Sequence, residues 1–226
     1  MEIGIIGSGN IGSTLAGYLT ALGHQVSVAN SRGPESLGEI ARKTGATPVT
    51  TAQAAGVKDL VIIAIPEKAI VNLPVDTLSA SEAIIVDAGN YYPSRDGQTT
   101  DIQAGLTDSE WVAKVIGHQV IKAFNNIVAP SLASKAVSTG SPNRIALPVA
   151  GDDKGQKATV MKLIDEIGFD AIDGGFLSES WRQQPGEPAY CQDLDKDTLR
   201  SALQQADIRK RAENLAKADE MARPYL

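Results

Sequence analysis

The sequence predicts an α/β chain built on a doubly wound, mainly parallel sheet, with a small helical extension at its C-terminal end. Three observations predict it. Short β-branched runs alternate with longer stretches of helical period, as they do when parallel strands are joined by helical crossovers. One run, Leu60 to Ile65, is apolar throughout, which a strand covered on both faces requires. A glycine-rich turn, Gly7-Ser8-Gly9-Asn10-Ile11-Gly12, stands between the first run and the first helical stretch.

Taken in order, Ile3 to Ile6 is the buried first strand. Leu15, Leu19 and Leu22 then recur at helical spacing, and Gly23 ends that helix ahead of the second strand, Gln25 to Ala29. A second helix is expected over Ser36 to Thr44, followed by a short strand near Thr47 to Val49. Leu60 to Ile65 is the fourth strand, stopped by Pro66, which has no N–H to give a ladder. Ala83 to Val86, ending at Asp87, is the fifth, and Gln119 to Phe124 the sixth. Arg144 to Val149 and Asp170 to Ile172 also read as strands able to extend the same sheet, with a helix from Lys154 to Ile167 between them. Glu179 to Leu194 is irregular and carries Pro185, Gly186 and Pro188. It leads into a polar helix from Lys196 to Met221, whose run Arg209-Lys210-Arg211 reads as a solvated face. Residues 1 to 175 are accordingly expected to form the main domain, and 176 to 226 a loop and helix completing it.

Composition narrows the function. A chain of 226 residues can bury a sizeable core without staples, and its one cysteine, Cys191, excludes both an internal disulfide framework and a cysteine-built zinc site. With no basic leader ahead of Ile3 and no apolar run near the ~18 residues a bilayer demands, the expectation is a cytoplasmic protein with no membrane partner. The net charge of -6 gives nucleic acid no broad attraction, while leaving room for a local phosphate grip.

The glycine turn carries the chemistry. In G-x-G-x-x-G between a strand and a helix, Gly7 allows the tight turn, Gly9 lets a pyrophosphate approach the backbone, and Gly12 lets the helix pack on the sheet. The N–H groups of Ser8, Asn10 and Ile11 and the helix dipole then favour negative charge there. This is the Rossmann-type arrangement for a dinucleotide. About 20 residues on, an NAD site places an acid that bonds the ribose hydroxyls. Here the second strand ends in Asn30-Ser31-Arg32, with a hydroxyl and a planar cation suited to a 2′-phosphate, so the expected cofactor is NADP(H).

Ligands of open α/β sheets lie beyond the carboxyl ends of the strands. Ile65 and Pro66 therefore offer an apolar edge, and Asn90 and Asn125 offer neutral amides, with Ala123 beside the latter. Asp87 either caps the next turn or acts in catalysis, the capping role being the expectation. His24 reads as structural, and His118 is placed nearer the active face. Lys122 is either a proton donor or a structural or exposed charge. No residue stands out as a general acid, which fits hydride transfer to a flavin-like ring.

In these elements, together with Asp87-Ala88-Gly89-Asn90 and Lys122-Ala123-Phe124-Asn125-Asn126, the chain resembles the NADPH-dependent F420 reductases, or F420-dependent NADP oxidoreductases, and the related reductase domain of the STEAP metalloreductases. The resemblance implies hydride exchange between NADP(H) and a deazaflavin (coenzyme F420) or flavin stacked on it. It implies that Ser31 and Arg32 hold the 2′-phosphate, that Ile65, Pro66, Ala123 and Asn125 line the nicotinamide side, and that the chain forms a homodimer. Trp181, Arg182 and Tyr190 depart from the pattern: they either cover an aromatic substrate and its anionic tail or pin the terminal helix. Two other readings stay open, a reductase of small carbonyls or imines and a non-catalytic NADP(H)-sensing module.

Overall fold

In the computed structural model, which describes residues 1–226, eight strands and eleven α-helices alternate along the chain. The strands are β1 (Glu2–Ile6), β2 (Gln25–Ala29), β3 (Thr47–Pro48), β4 (Leu60–Ile63), β5 (Ile84–Asp87), β6 (Ile121–Lys122), β7 (Ala146–Val149) and β8 (Asp170–Asp173). Helices α1 (Asn10–Ala21), α2 (Gly38–Thr44), α3 (Thr51–Ala55) and α4 (Val75–Ser79) lie among the first five strands. Next come α5 (Pro93–Asp96), α6 (Thr100–Gln103), α7 (Asp108–Ile116) and α8 (Ala129–Ser134). The chain ends with α9 (Lys154–Ile167), α10 (Lys196–Gln205) and α11 (Arg211–Ala222).

The first six strands form one parallel sheet in the order β3-β2-β1-β4-β5-β6. Ile3 pairs with Val26 on one side and Leu60 on the other, so the order reverses between β1 and β4. Such a reversal leaves a crevice at the carboxyl ends of those two strands. The side-chain alternation of β4 shows why the run had to be apolar on both faces: Leu60 and Ile62 join Leu15 and Leu19 of α1 in one buried layer, while Val61 and Ile63 join Val112 and Ile116 of α7 in the other.

Several boundaries differ from the sequence expectation. Leu22 does not continue the buried stripe of α1: it is the C-cap residue and 43% exposed, and Gly23 turns the chain at φ 86. Residues 34 to 37 form a 3₁₀ turn before α2. β4 stops at Ile63, leaving Ala64 to Pro66 as loop. β6 keeps only two residues because Phe124 adopts φ 63 and turns the backbone out of the ladder. β7 and β8 do not simply extend the main sheet: they pair in parallel with each other and touch it through one antiparallel bridge, Lys122 with Ala150.

The expected single helix from Lys196 to Met221 is two helices. At Ala206 and Asp207 the backbone becomes extended, and the Asp207 carboxylate accepts the Arg209 N–H at 3.1 Å. Arg211 then donates to the carbonyls of Gly105 and Leu106, at 3.1 and 2.7 Å, which fixes α11 on a different part of the molecule. Leu199, Ala202 and Leu203 of α10 pack on Ala146 and Ile172, whereas Asp219 of α11 accepts the N–H and Oγ–H of Ser94. No helix is long and apolar enough to cross a membrane.

Candidate active site

The glycine turn sits at the carboxyl end of β1. Gly7 has φ 121, and a Cβ there would lie 2.1 Å from the Ala64 carbonyl oxygen, so both backbone angle and space demand glycine. A Cβ on Gly12 would meet the Gly7 carbonyl oxygen at 1.9 Å, the close helix-to-strand approach that opens α1. Gly9 differs: it has φ -73, and a Cβ there would meet nothing within 4 Å. The space in front of it is open. No side chain caps α1, and no acid stands in its first turn, so its leading N–H groups face outward with an uncompensated dipole.

A cavity of about 560 Å³ begins at this turn and runs past Asn30, Ser31 and Arg32 to Pro66. Asn30 shapes the loop after β2. Its Oδ1 accepts the Arg32 N–H at 2.9 Å, and its Nδ2 donates to Ser8 Oγ at 3.2 Å and Ser36 Oγ at 2.9 Å. Ser31 and Arg32 are exposed, and the Arg32 guanidinium has no protein partner. The open front of Gly9 and the unpaired guanidinium fit a dinucleotide with a 2′-phosphate.

A second cavity, of about 330 Å³, adjoins the first, and Ala64 and Ile65 line both. Ile11, Phe124 and Val128 make it largely apolar. Asn90 and Asn125 brace its floor: Asn90 Nδ2 donates to the Asn125 carbonyl at 2.9 Å, and Asn125 Nδ2 donates to Asn90 Oδ1 at 3.0 Å. Asn125 is further held by Gln183, which both accepts from and donates to its side chain. At the polar end, the Tyr92 and Tyr190 hydroxyls meet at 2.7 Å, and Arg95 lies over the Tyr92 ring. Burial pushes both phenols above the ordinary tyrosine range. Burial likewise raises the Cys191 thiol, which leaves it a poor nucleophile. Two of the three non-glycine residues with positive φ, Phe124 and Cys191, stand on this wall, and such strain collects where a site over-determines the backbone.

Behind the cavities lies a buried charge cluster. Asp87 Oδ1 accepts the Gly89 N–H at 2.9 Å, the expected cap, while Oδ2 accepts from Ser109 Oγ at 2.6 Å and Lys122 Nζ at 3.0 Å. Lys122 is therefore a structural ion-pair partner, not a donor to a ligand. Burial works to lower its pKa, but Asp87, Asp108 and Glu67 outweigh that and hold it raised. Glu67 is buried with both oxygens unpaired, and burial, then the charge of Asp87, pushes its carboxyl well up.

Other expectations are corrected. Ala123 is wholly buried behind the wall, where its N–H bonds the Asp87 carbonyl, whereas the Asn10 side chain is exposed at the helix start and lines neither cavity, leaving its backbone N–H as the group that faces the turn. His118 is not near the active face: it precedes a parallel strand, so it lies at the amino end, bonded to the Gln119 and Ser81 carbonyls. Arg182 stacks on Trp181 at 4.6 Å and reaches the Leu203 carbonyl, so this pair pins α10 while Tyr190 alone faces the cavity. Tyr92 and Tyr190 bring to the second cavity two hydroxyls not expected there from the sequence, and burial makes both weaker acids than a free phenol. Tyr92 and Arg95 were within reach of the strand-end rule, since they follow Asn90 on the same loop and α5.

Residues 2–91 match the family described as NADP oxidoreductase, coenzyme F420-dependent. A crystal structure of a hypothetical protein from Sinorhizobium meliloti is 33% identical, superposes with a TM-score of 0.72, and shares 87% of this chain and 96% of its own. A candidate F420-dependent NADP-reductase from Arthrobacter sp. FB24 shares the fold at 23% identity and a TM-score of 0.66, over 80% of this chain and 87% of that one. Escherichia coli YjhV is 42% identical over 64 residues, which are 28% of this chain and 47% of YjhV, about half its length. By the match over the glycine turn and first strands, residues 2–91 belong to the coenzyme F420-dependent NADP oxidoreductase family, and the Sinorhizobium protein shares the fold over nearly the whole chain.

Proposed function

We infer that the chain holds NADP(H) along the first cavity and passes hydride to a planar deazaflavin or flavin-like acceptor, coenzyme F420 or a flavin, seated in the second. The observation that carries this reading is the shared wall: Ala64 and Ile65 line both cavities, so a ligand starting at Gly9 and Arg32 would enter the apolar one at Ile65. Gly7 to Gly12 would hold the pyrophosphate, Ser31 and Arg32 the 2′-phosphate, and Ile65, Pro66, Asn90 and Asn125 the nicotinamide end. Bound NADPH supplies a hydride from C4 of its nicotinamide ring. The protein's share is positioning and exclusion of water, with Asn90 and Asn125 locked by their mutual hydrogen bonds.

The test offers oxidised F420, FMN, FAD and riboflavin with NADPH, beside small aldehydes, ketones and imines. Oxidation of NADPH by at least one ring is the expected result. Turnover of a small carbonyl or imine with every ring inert would favour the second reading, which the cavity-facing hydroxyls of Tyr92 and Tyr190 support. NADPH binding without turnover of any acceptor would favour a sensing module.

The same proposal includes a cytoplasmic homodimer and a single domain that residues 176 to 226 complete upon residues 1 to 175. Exposed Ile208, Met221 and Tyr225 near the C-terminal end support a contact between copies. Sedimentation reads the mass directly; a monomer at micromolar concentration would remove the dimer.

A further inference from the structure

The geometry points to Tyr92, Tyr190 and Arg95 as a receptor for a carbonyl or anionic oxygen of the acceptor. This rests on the reading of the second cavity as the acceptor site.

The argument begins with a count of protons. Two neutral phenols carry two O–H groups, and the 2.7 Å contact between them uses one. Beyond each other the hydroxyls have only the neighbouring Cys191 sulfur beside Tyr190, a weak acceptor that a carbonyl or anionic oxygen would displace, so one O–H remains to donate at the cavity wall that both tyrosines line. Burial keeps both phenols neutral, and hence donors, across the ordinary range of pH.

Arg95 adds a second donor. Its Nε and Nη2 grip the two oxygens of Asp96 at 2.9 and 2.8 Å, and Nη2 also bonds the Asn90 carbonyl. The guanidinium is thereby fixed in plane over the Tyr92 ring, and Nη1 has no protein partner. Asp96 offsets its charge without using that last pair of hydrogens. The rest of the wall is mostly apolar, so these donors stand at one end only. A planar ligand buried there would lose hydration at its oxygens in any other orientation, and an unpaired buried oxygen costs roughly 1–3 kcal/mol, or about 5- to 150-fold in affinity. The polar end would thus select ligands bearing an oxygen acceptor and set which edge of the ring points to Arg95.

Binding tests this without turnover. The protein saturated with NADP⁺ is titrated with riboflavin, whose pyrimidinedione edge carries carbonyl oxygens, with benzoate, and with toluene as a ring lacking an acceptor. Riboflavin and benzoate should bind and toluene should not compete at equal concentration. The Tyr92→Phe/Tyr190→Phe protein should lose about tenfold or more for both oxygen-bearing probes while keeping its NADP⁺ affinity. Arg95→Met should weaken benzoate more than riboflavin, because only benzoate carries a full charge. Benzoate should also perturb the tyrosine absorption of the unaltered protein, a readout that stands even where the double variant does not fold. Unchanged affinities in a folded double variant, or an unaltered protein that binds neither oxygen-bearing probe, would overturn the proposal. Tyrosine-dependent binding of the probes with every ring inert toward NADPH would instead reject the ring-acceptor function and leave this receptor standing.

Discussion

Lys122 Nζ lies 3.0 Å from Asp87 Oδ2, with both side chains wholly removed from solvent. The pair ties β6 to β5 directly beneath the Gly89 turn, since Lys122 also donates to the Gly89 carbonyl at 2.7 Å. Its value lies less in net attraction than in the penalty for breaking it. Removing one partner of a buried pair leaves an uncompensated charge and costs about 3–5 kcal/mol. Lys122→Met should therefore lower unfolding stability by that amount in urea. Lys122→Met/Asp87→Asn should recover much of it, because Asp87→Asn removes the stranded charge. A Lys122→Met protein as stable as the original would show that Asp87 finds another partner.

Glu67 contributes to the dependence of stability on pH. Burial, reinforced by Asp87, raises its carboxyl in the folded chain, and burial raises Asp108 as well. A carboxyl that is harder to ionise when folded binds more protons in the native state than in the unfolded one. Its contribution to stability is thus fullest below the ordinary carboxylate range and is lost as pH climbs toward the folded value. Glu67→Gln has no proton to lose, so stability should fall less steeply between about pH 5 and 8 than in the original protein. Urea melts across that range check it, and identical slopes would mean that Glu67 is charged in the fold.

Much of the fold was legible because its signals are local. The bounds of β2 and α9 emerge as read: α9 lies between the Asp153 cap and Gly168 in the left-handed conformation, both visible in sequence. The capping box of Thr50 with Gln53 was equally visible and marks α3, which the sequence reading passed over. The break between α10 and α11 was not visible, as it involves neither glycine nor proline and depends on Arg211 reaching carbonyls 105 and 106 residues away. The site divides the same way. Strand ends pointed to Ile65, Asn90 and Asn125, whereas Tyr92 and Tyr190, 98 residues apart, meet only through the loop after β5 and the loop before α10. Trp181 and Arg182 looked alike to Tyr190 in sequence; the 3₁₀ turn from Leu177 to Gln183 points them toward α10.

On the proposed reading, Arg32 selects between the two dinucleotides. It is exposed, unpaired, and mounted on a loop braced by Asn30, so its removal should leave stability unchanged. A charged hydrogen bond to a phosphate contributes about 1.5–3 kcal/mol, or roughly 10- to 150-fold. Arg32→Ala should lose that much NADPH affinity by calorimetric titration, with little change for NADH. Equal losses for both would remove the 2′-phosphate from this loop.

Gly9 and Gly12 make the sharpest contrast, because the same motif uses them for opposite purposes. A side chain at Gly9 would have an ordinary extended backbone and free space around its Cβ, so Gly9→Val should fold with unaltered circular dichroism. That space is where a pyrophosphate would lie against the backbone, and the valine methyls would fill it; binding of NADPH and NADH should both fall below detection. Gly12→Ala does the reverse. Its Cβ would press on the Gly7 carbonyl at 1.9 Å and force α1 off the sheet, at a cost of about 1–3 kcal/mol typical of overpacking. Urea melts and calorimetry on the two proteins separate the roles: Gly12→Ala should lose stability first, Gly9→Val binding alone. A folded Gly9→Val protein that still binds NADPH would place the dinucleotide away from this turn.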